Sequence, residues 1–276
     1  AYYYQYTQDN EWLQNNIDKI RKAMQFLLTY CKGSEQELIT VEEFVGHDGS
    51  SNYDYFAWKD ENGDLGKKTN TGIGHGIGDG YWDCPSYPMV SLYCNLYYYK
   101  ALKGMQYLEE MADKSGITES GAEVSVKTAD MKNTAKYSET AETLTEKIGK
   151  FVPKFQSYFW NEKTGRFHLG FLPENDKGVK AGVLDPVVDY GFTTYNEEAI
   201  ELGLATEEQA KSIMDWINGV RTVEGDTADN SSRLKQIYYF TFAPRWTTKE
   251  NVYQFWFDFD GKRSGMSVYC PGGTHF

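Results

Sequence analysis

The sequence predicts an all-α fold whose helices are joined by loops carrying short β-hairpins. Apolar side chains recur at three- and four-residue steps over several long stretches, the mark of helices with one buried face. No strand–helix–strand alternation appears, which argues against a parallel α/β sheet. Turn-rich connections separate the helical stretches, and no sequence repeat suggests a solenoid.

Along the chain, Ala1–Tyr6 reads as the end of a helix already under way. Residues 9–32 form the first clear helix, with Asp9 placed as N-cap and Gly33 as the stop. Trp12, Leu13, Ile17, Ile20, Met24, Leu27 and Leu28 make its apolar stripe. Over 38–75, short β-leaning runs (Leu38–Phe44 and Tyr53–Trp58) alternate with turn clusters. There Asp60–Asp64 resembles part of a calcium loop, but without its closing Glu a hairpin turn is the better reading. A second helix spans about 90–111, and its Tyr93, Tyr97, Tyr98 and Tyr99 cover nearly all sides, which predicts burial between neighbours.

Residues 113–132 are polar with Gly and Ser, and are expected to be a mobile connection. The third long helix is set at about 134–159, with Pro153 expected to kink or split it. Trp160–Phe167 then predicts a hairpin turning at Lys163–Gly165. Two helices follow at about 195–203 and 206–218, the second opening close to a capping box at Thr206–Gln209. The tail from 222 is aromatic with weak periodicity.

Composition narrows the function classes. Lys plus Arg number 28 against 40 Asp plus Glu, and the net charge of −12 repels phosphate backbones, so nucleic acid is not an expected partner. The longest apolar runs are far too short to cross a bilayer, so no membrane partner is expected. Cys31, Cys84, Cys94 and Cys270 show no paired spacing, and His47, His75, His168 and His275 stand at no ligand spacing from one another. A metal is therefore not expected, and no organic cofactor is expected either. The 22 Tyr and 7 Trp suit either a packed core or saccharide contacts.

The most informative run is Gly76–Pro88, where Gly and Pro keep two carboxylates, a Trp and a Tyr out of regular structure just ahead of a helix. An acid beside an aromatic plane on such a loop suits sugar cleavage, the ring stacking on the pyranose and the carboxyl protonating the glycosidic oxygen.

Four segments together resemble the bacterial six-hairpin glycosidases. Tyr4–Leu13 is similar to their Y-x-Y-T-G-D-x-x-F-L helix start, and Gly78–Asp83 to their acid-bearing loop. Phe159–Phe167 resembles the F-W-N-x-x-T-G-R-F hairpin, and Asp189–Phe192 with Asn196–Ala205 their later helix start. The resemblance implies an (α/α)6 toroid with its site among the interhelical loops. It spans most of residues 1–276, read as a single catalytic domain truncated at both ends, with the remainder of a larger glycosidase chain as a partner alongside the oligosaccharide or glycoside substrate.

The resemblance further implies inverting single-displacement hydrolysis, with Asp83 as general acid and two carboxyls roughly 6.5–9.5 Å apart. Against that stands the reading that Asp83 only caps the helix starting near Ser86. Asp79 is the second choice, serving the acid role, a sugar hydroxyl or the turn itself. Trp82, with Tyr81, Trp58 and Trp160, is a candidate stacking surface, and His75 and His47 border the same loops. The resemblance also implies a general base late in the chain, in a segment that Gly272–Phe276, including His275, begins to enter. Within the chain, Asn196 and Glu197 are candidate substrate contacts, with Glu197 and Glu198 also candidate bases; acids opening a helix also favour the macrodipole with no catalytic duty. Glu42, Glu43 and Asp48 are weaker candidates. The rivals are a glycoside phosphorylase on the same fold and a non-catalytic carbohydrate-binding fragment lacking its base.

Overall fold

A computed structural model of the chain describes residues 1–40, 90–117, 123–128, 131–171, 186–189 and 191–224, with the backbone alone for 123–128 and 131–135. The described residues are mostly helical, and their strands form only short antiparallel pairs. The described residues are therefore compatible with the all-α class. Among them no helix is long and apolar enough to cross a membrane. The chain divides into two compact units, one made of Ala1–Thr40 and Asn95–Phe155, and a second whose described residues are 90–94, 156–171, 186–189 and 191–224.

The first unit opens with a short helix α1 (Tyr2–Thr7), closed by Gln8 in the left-handed conformation with its N–H on the Tyr4 carbonyl. Asp9 then caps α2 (Asn10–Thr29), its side chain accepting from the Trp12 N–H at 2.9 Å, which satisfies an amide the first turn would leave unpaired. Leu13, Ile17, Met24 and Leu28 form the buried stripe of α2. The helix ends before residue 32, and Gly33 does not stop it: Lys32 takes the left-handed conformation (φ 62°) and Gly33 begins a further short helix α3 (Gly33–Gln36). The glycine is required by space. A Cβ at Gly33 would lie 2.5 Å from the Tyr98 hydroxyl oxygen, closer than real contacts allow.

After α3 the backbone of Ile39 is paired by the side-chain amide of Asn95, which accepts from its N–H at 2.8 Å and donates to its carbonyl at 3.2 Å. This buried amide does what a neighbouring strand would do, since an unpaired buried peptide group is costly. The rest of the β-leaning stretch expected over 38–75 lies outside the described residues, as does the expected turn at Asp60–Asp64.

Helix α4 (Leu92–Lys114) sends Leu96, Leu102, Met105 and Leu108 into the core. Its tyrosines are not uniformly covered, for Tyr98 is buried while Tyr97 is 49% exposed. Arg21 of α2 is clamped to Glu109 of α4 by two bonds, Nε to Oε1 at 2.8 Å and Nη2 to Oε2 at 2.6 Å, the fork geometry that makes such pairs specific.

Two expectations fail between 113 and 141. The connection contains an antiparallel hairpin, β1 (Glu123–Thr128) against β2 (Met131–Lys136), in register Glu123↔Lys136 through Thr128↔Met131. The alternation of Val124 and Val126 with Glu123, Ser125 and Lys127 is a strand pattern hidden by the polar composition around it. Consequently the following helix α5 (Ala141–Phe159) begins well after residue 134, at a start where Thr140 Oγ accepts from the Thr143 N–H and Thr143 Oγ from the Thr140 N–H. Pro153 does not split α5. It is exposed, so the carbonyl that loses its partner faces water. Leu144, Phe151 and Phe155 form the buried side of α5, with Phe151 edge-on to Tyr98 at 5.8 Å.

In the second unit, the expected hairpin is present as β3 (Trp160–Asn161) against β4 (Arg166–Phe167). A further pair, β5 (Gly170–Phe171) with β6 (Val187–Val188), follows. Two helices complete it, α6 (Thr193–Glu201) and α7 (Glu207–Ile217), the latter opened by a full capping box between Thr206 and Gln209. Phe159, Phe167, Leu169, Val188, Ile213 and Trp216 are buried in this unit.

Candidate functional site

The second unit gathers an unusual number of buried polar groups: Thr164, Arg166, His168, Asp189, Thr193 and Asn196 are all at most 4% exposed. Burying polar groups is unfavourable unless each is paired, so their partners define what the cluster does.

Asp189, just after β6, is held from four directions. Its Oδ1 accepts from Arg166 Nε at 2.9 Å and from the Gly191 N–H at 3.1 Å. Its Oδ2 accepts from Thr164 Oγ at 2.9 Å and Asn161 Nδ2 at 3.2 Å. A carboxylate has about four lone-pair positions, and here all four are used, so Asp189 is an anchor rather than a proton carrier. Arg166, wholly buried, lays its guanidinium over the Trp216 ring at 4.4 Å, a contact available to a planar, weakly hydrated cation.

The β3–β4 turn is gripped from the α7 side. Arg221 donates from Nη1 to the Thr164 carbonyl at 2.9 Å, from Nη2 to the Gly165 carbonyl at 2.7 Å and from Nε to the Ser212 carbonyl at 2.8 Å. Ser212 Oγ adds a bond to the Gly165 carbonyl at 2.9 Å. Gly165 sits at φ 62°, and a Cβ there would come 2.6 Å from Ser212 Oγ, so both backbone and space demand glycine.

Asn196 on α6 closes the corner. Its Oδ1 accepts from the Phe167 N–H at 2.8 Å, while Nδ2 donates to the carbonyls of Phe167 at 3.2 Å and Phe192 at 2.8 Å. Both amide hydrogens are thus committed to backbone in the described structure. The start of α4 joins the same corner, with the Leu92 N–H on the Leu169 carbonyl at 2.8 Å and Tyr93 against Tyr195 at 5.1 Å. His168 lies alongside, its Nδ1 accepting from the Gly170 N–H at 2.9 Å and its ring edge-on to Phe171 at 4.6 Å.

Of the residues singled out from sequence, Trp160, Asn196, Glu197 and Glu198 are described. Trp160 is half-buried on β3, edge-on to Phe167 at 5.2 Å. Glu197 is exposed on α6, and partial burial raises its carboxyl above the ordinary glutamate range. Glu198, its neighbour, is half-buried. Asp83, Asp79, Trp82, Tyr81, His75, Trp58, His275, His47, Glu42, Glu43 and Asp48 lie outside the described residues.

Sequence reasoning gave no role to Arg166, Asp189 or Arg221. The signal was present for Arg166, a charged residue between Gly165 and Phe167 in a hairpin whose neighbours are apolar. Its partner, 23 positions further along, was not readable from spacing. Comparison with protein-family models, with curated proteins and with solved structures gives no match.

Proposed function

We propose that the chain is a glycoside hydrolase acting by single displacement with inversion, on an (α/α)6 toroid of which these helices are part. Asp83 protonates the leaving oxygen, and a carboxylate opposite activates water. The observation that carries the reading is the corner of the second unit. Segments that resemble the glycosidase hairpin and the later helix start are joined there by Arg166–Asp189 and by Asn196 on Phe167. The start of α4, nine positions after Asp83 in the chain, is bonded to Leu169 of the same corner. Two of the stretches singled out by resemblance thus belong to one buried network, which also takes in the start of α4. Trp82 serves as the stacking platform and Asp79 as a hydroxyl contact, while Glu197, exposed and with a raised carboxyl, is a second proton-handling group.

The test is Asp83→Asn in the full chain, assayed on a glycoside panel with the anomeric outcome followed by NMR. Turnover is expected to fall by about a hundredfold or more, the scale of a lost general acid, with saccharide binding retained. Turnover equal to the parent chain, or a product of retained configuration, rejects the reading.

A further inference from the structure

The first unit contains a small cavity lined from α3, α4 and α5. Its volume is about 90 Å³, several times what one water needs and well below the roughly 300 Å³ at which pockets begin to hold drug-sized molecules. Tyr98 lines it from α4 and is only 2% exposed, with its hydroxyl against Gly33, a second lining residue. Among the described residues nothing hydrogen-bonds that hydroxyl. Burial, with Glu139 and Cys31 nearby, pushes it above the usual tyrosine range, so it stays protonated and able to donate. A buried donor without a protein partner calls for one from outside the chain.

The walls carry charge of both signs. On the α5 side stand Lys147 and Lys150, neighbours on one helix face. Lys147 donates to Ser34 Oγ at 3.3 Å and stands 3.4 Å from Glu139 Oε1, which leaves one of its three hydrogens uncommitted. On the α3 side stand Glu35 and, at the end of that helix, Glu37, neither in an ion pair among the described residues. The balance of charge selects the ligand. A bare anion would meet Glu35, Glu37 and Glu139 as well as the two lysines. A bare cation would leave the Tyr98 hydroxyl and Lys147 unmatched. A molecule carrying both charges suits both walls, its carboxylate accepting from Tyr98 and Lys147 and its ammonium donating to the acids of α3.

We propose that this cavity binds a small zwitterionic amino acid of the size of glycine or alanine, with its carboxylate on Tyr98, Lys147 and Ser34 and its ammonium on Glu35 and Glu37. The volume leaves no room for a large side chain. Gly33 belongs to the site as well, since a Cβ there would lie 2.5 Å from the Tyr98 hydroxyl oxygen and cover it. Every residue involved lies in the first unit, so the proposal does not depend on the hydrolase reading.

The experiment is isothermal titration calorimetry of the full chain with glycine. Acetate, methylammonium, inorganic phosphate and phenylalanine serve as comparison probes at equal ionic strength. Glycine is expected to bind one to one, and each comparison probe at least about tenfold more weakly. Tyr98→Phe is expected to raise the Kd for glycine about tenfold, the effect of one lost hydrogen bond to a charged group. Its thermal midpoint should not fall, because the hydroxyl has no protein partner to lose. Lys150→Ala/Glu37→Gln changes one exposed and one half-buried position, and is expected to weaken glycine by a similar factor with the fold intact. Failure of glycine to bind the parent chain overturns the proposal. So does acetate, methylammonium, phosphate or phenylalanine binding as tightly as glycine, or a Tyr98→Phe variant with the affinity of the parent. Should Tyr98→Phe fail to fold, the double variant decides, and affinity equal to the parent there overturns the proposal.

Discussion

Asp189→Ala removes the acceptor at the centre of the buried corner. Arg166 keeps its charge with none of its surface exposed, and the Gly191 N–H, Thr164 hydroxyl and Asn161 amide each lose a bond. Breaking a buried ion pair by deleting one partner costs about 3–5 kcal/mol, chiefly because the remaining charge stays desolvated. Neutral donors left unsatisfied add about 1 kcal/mol each in isolation, but they share a small space with the arginine and their costs overlap. The expected loss is about 4 kcal/mol, a large share of the roughly 5–15 kcal/mol that stabilises a domain. At about 2–4 °C per kcal/mol, the thermal midpoint should fall by about 8–16 °C, read by circular dichroism.

The double variant Arg166→Met/Asp189→Leu supplies the control. It removes charge and counter-charge together, so urea titrations should show it losing far less than the sum of the two single variants. A loss below about 1 kcal/mol for Asp189→Ala would refute the argument. So would a double variant whose loss equals that sum, because the two groups would then not be coupled.

Gly33→Ala places a methyl group against the Tyr98 hydroxyl and the Leu27 carbonyl, and should cost about 1–3 kcal/mol in urea titrations, partly recovered by Tyr98→Phe. Full stability of the single variant would mean that the ring moves aside freely. Burial raises the Cys31 thiol from 9.0 to about 11, so the folded state holds its proton more tightly than the unfolded state. The stability that this contributes is complete below pH 9 and is lost as the pH climbs from 9 towards 11. Peptide mapping after iodoacetamide treatment at pH 8 should find Cys31 unlabelled when folded and labelled in urea; equal labelling in both would show that the thiol is accessible.

Much of the helical framework was legible because its signals are local. Asp9 with the stripe Leu13, Ile17, Met24 and Leu28 marks α2 within a few turns, and Thr206 with Gln209 marks the start of α7. The β3–β4 hairpin was readable from Asn161 to Gly165, whose turn needs positive φ at glycine. Elsewhere the local signal misled. A strand pattern of only six residues, Glu123–Thr128, was outweighed by its polar surroundings, and the start of α5 shifted with it. Gly33 looked like a helix stop because glycine commonly ends helices, while its actual constraint is a tyrosine 65 positions away. Asn196 is a candidate substrate contact in the sequence, and spacing along the chain does not show that its amide is turned inward onto Phe167 and Phe192.

By itself the sequence determined the mainly helical character of the described residues, the capped starts of α2 and α7, and the net charge of −12. Each depends on residues within one or two turns of one another, or on composition alone, and needs no knowledge of the partner surface. Only the tertiary structure decided that Arg166 meets Asp189, that Asn95 and Asn196 pair with backbone, and which tyrosines remain in solvent. The reason is physical. A buried polar group is stable only with a partner in place, and that partner is set by how distant segments pack, which spacing along the chain does not encode.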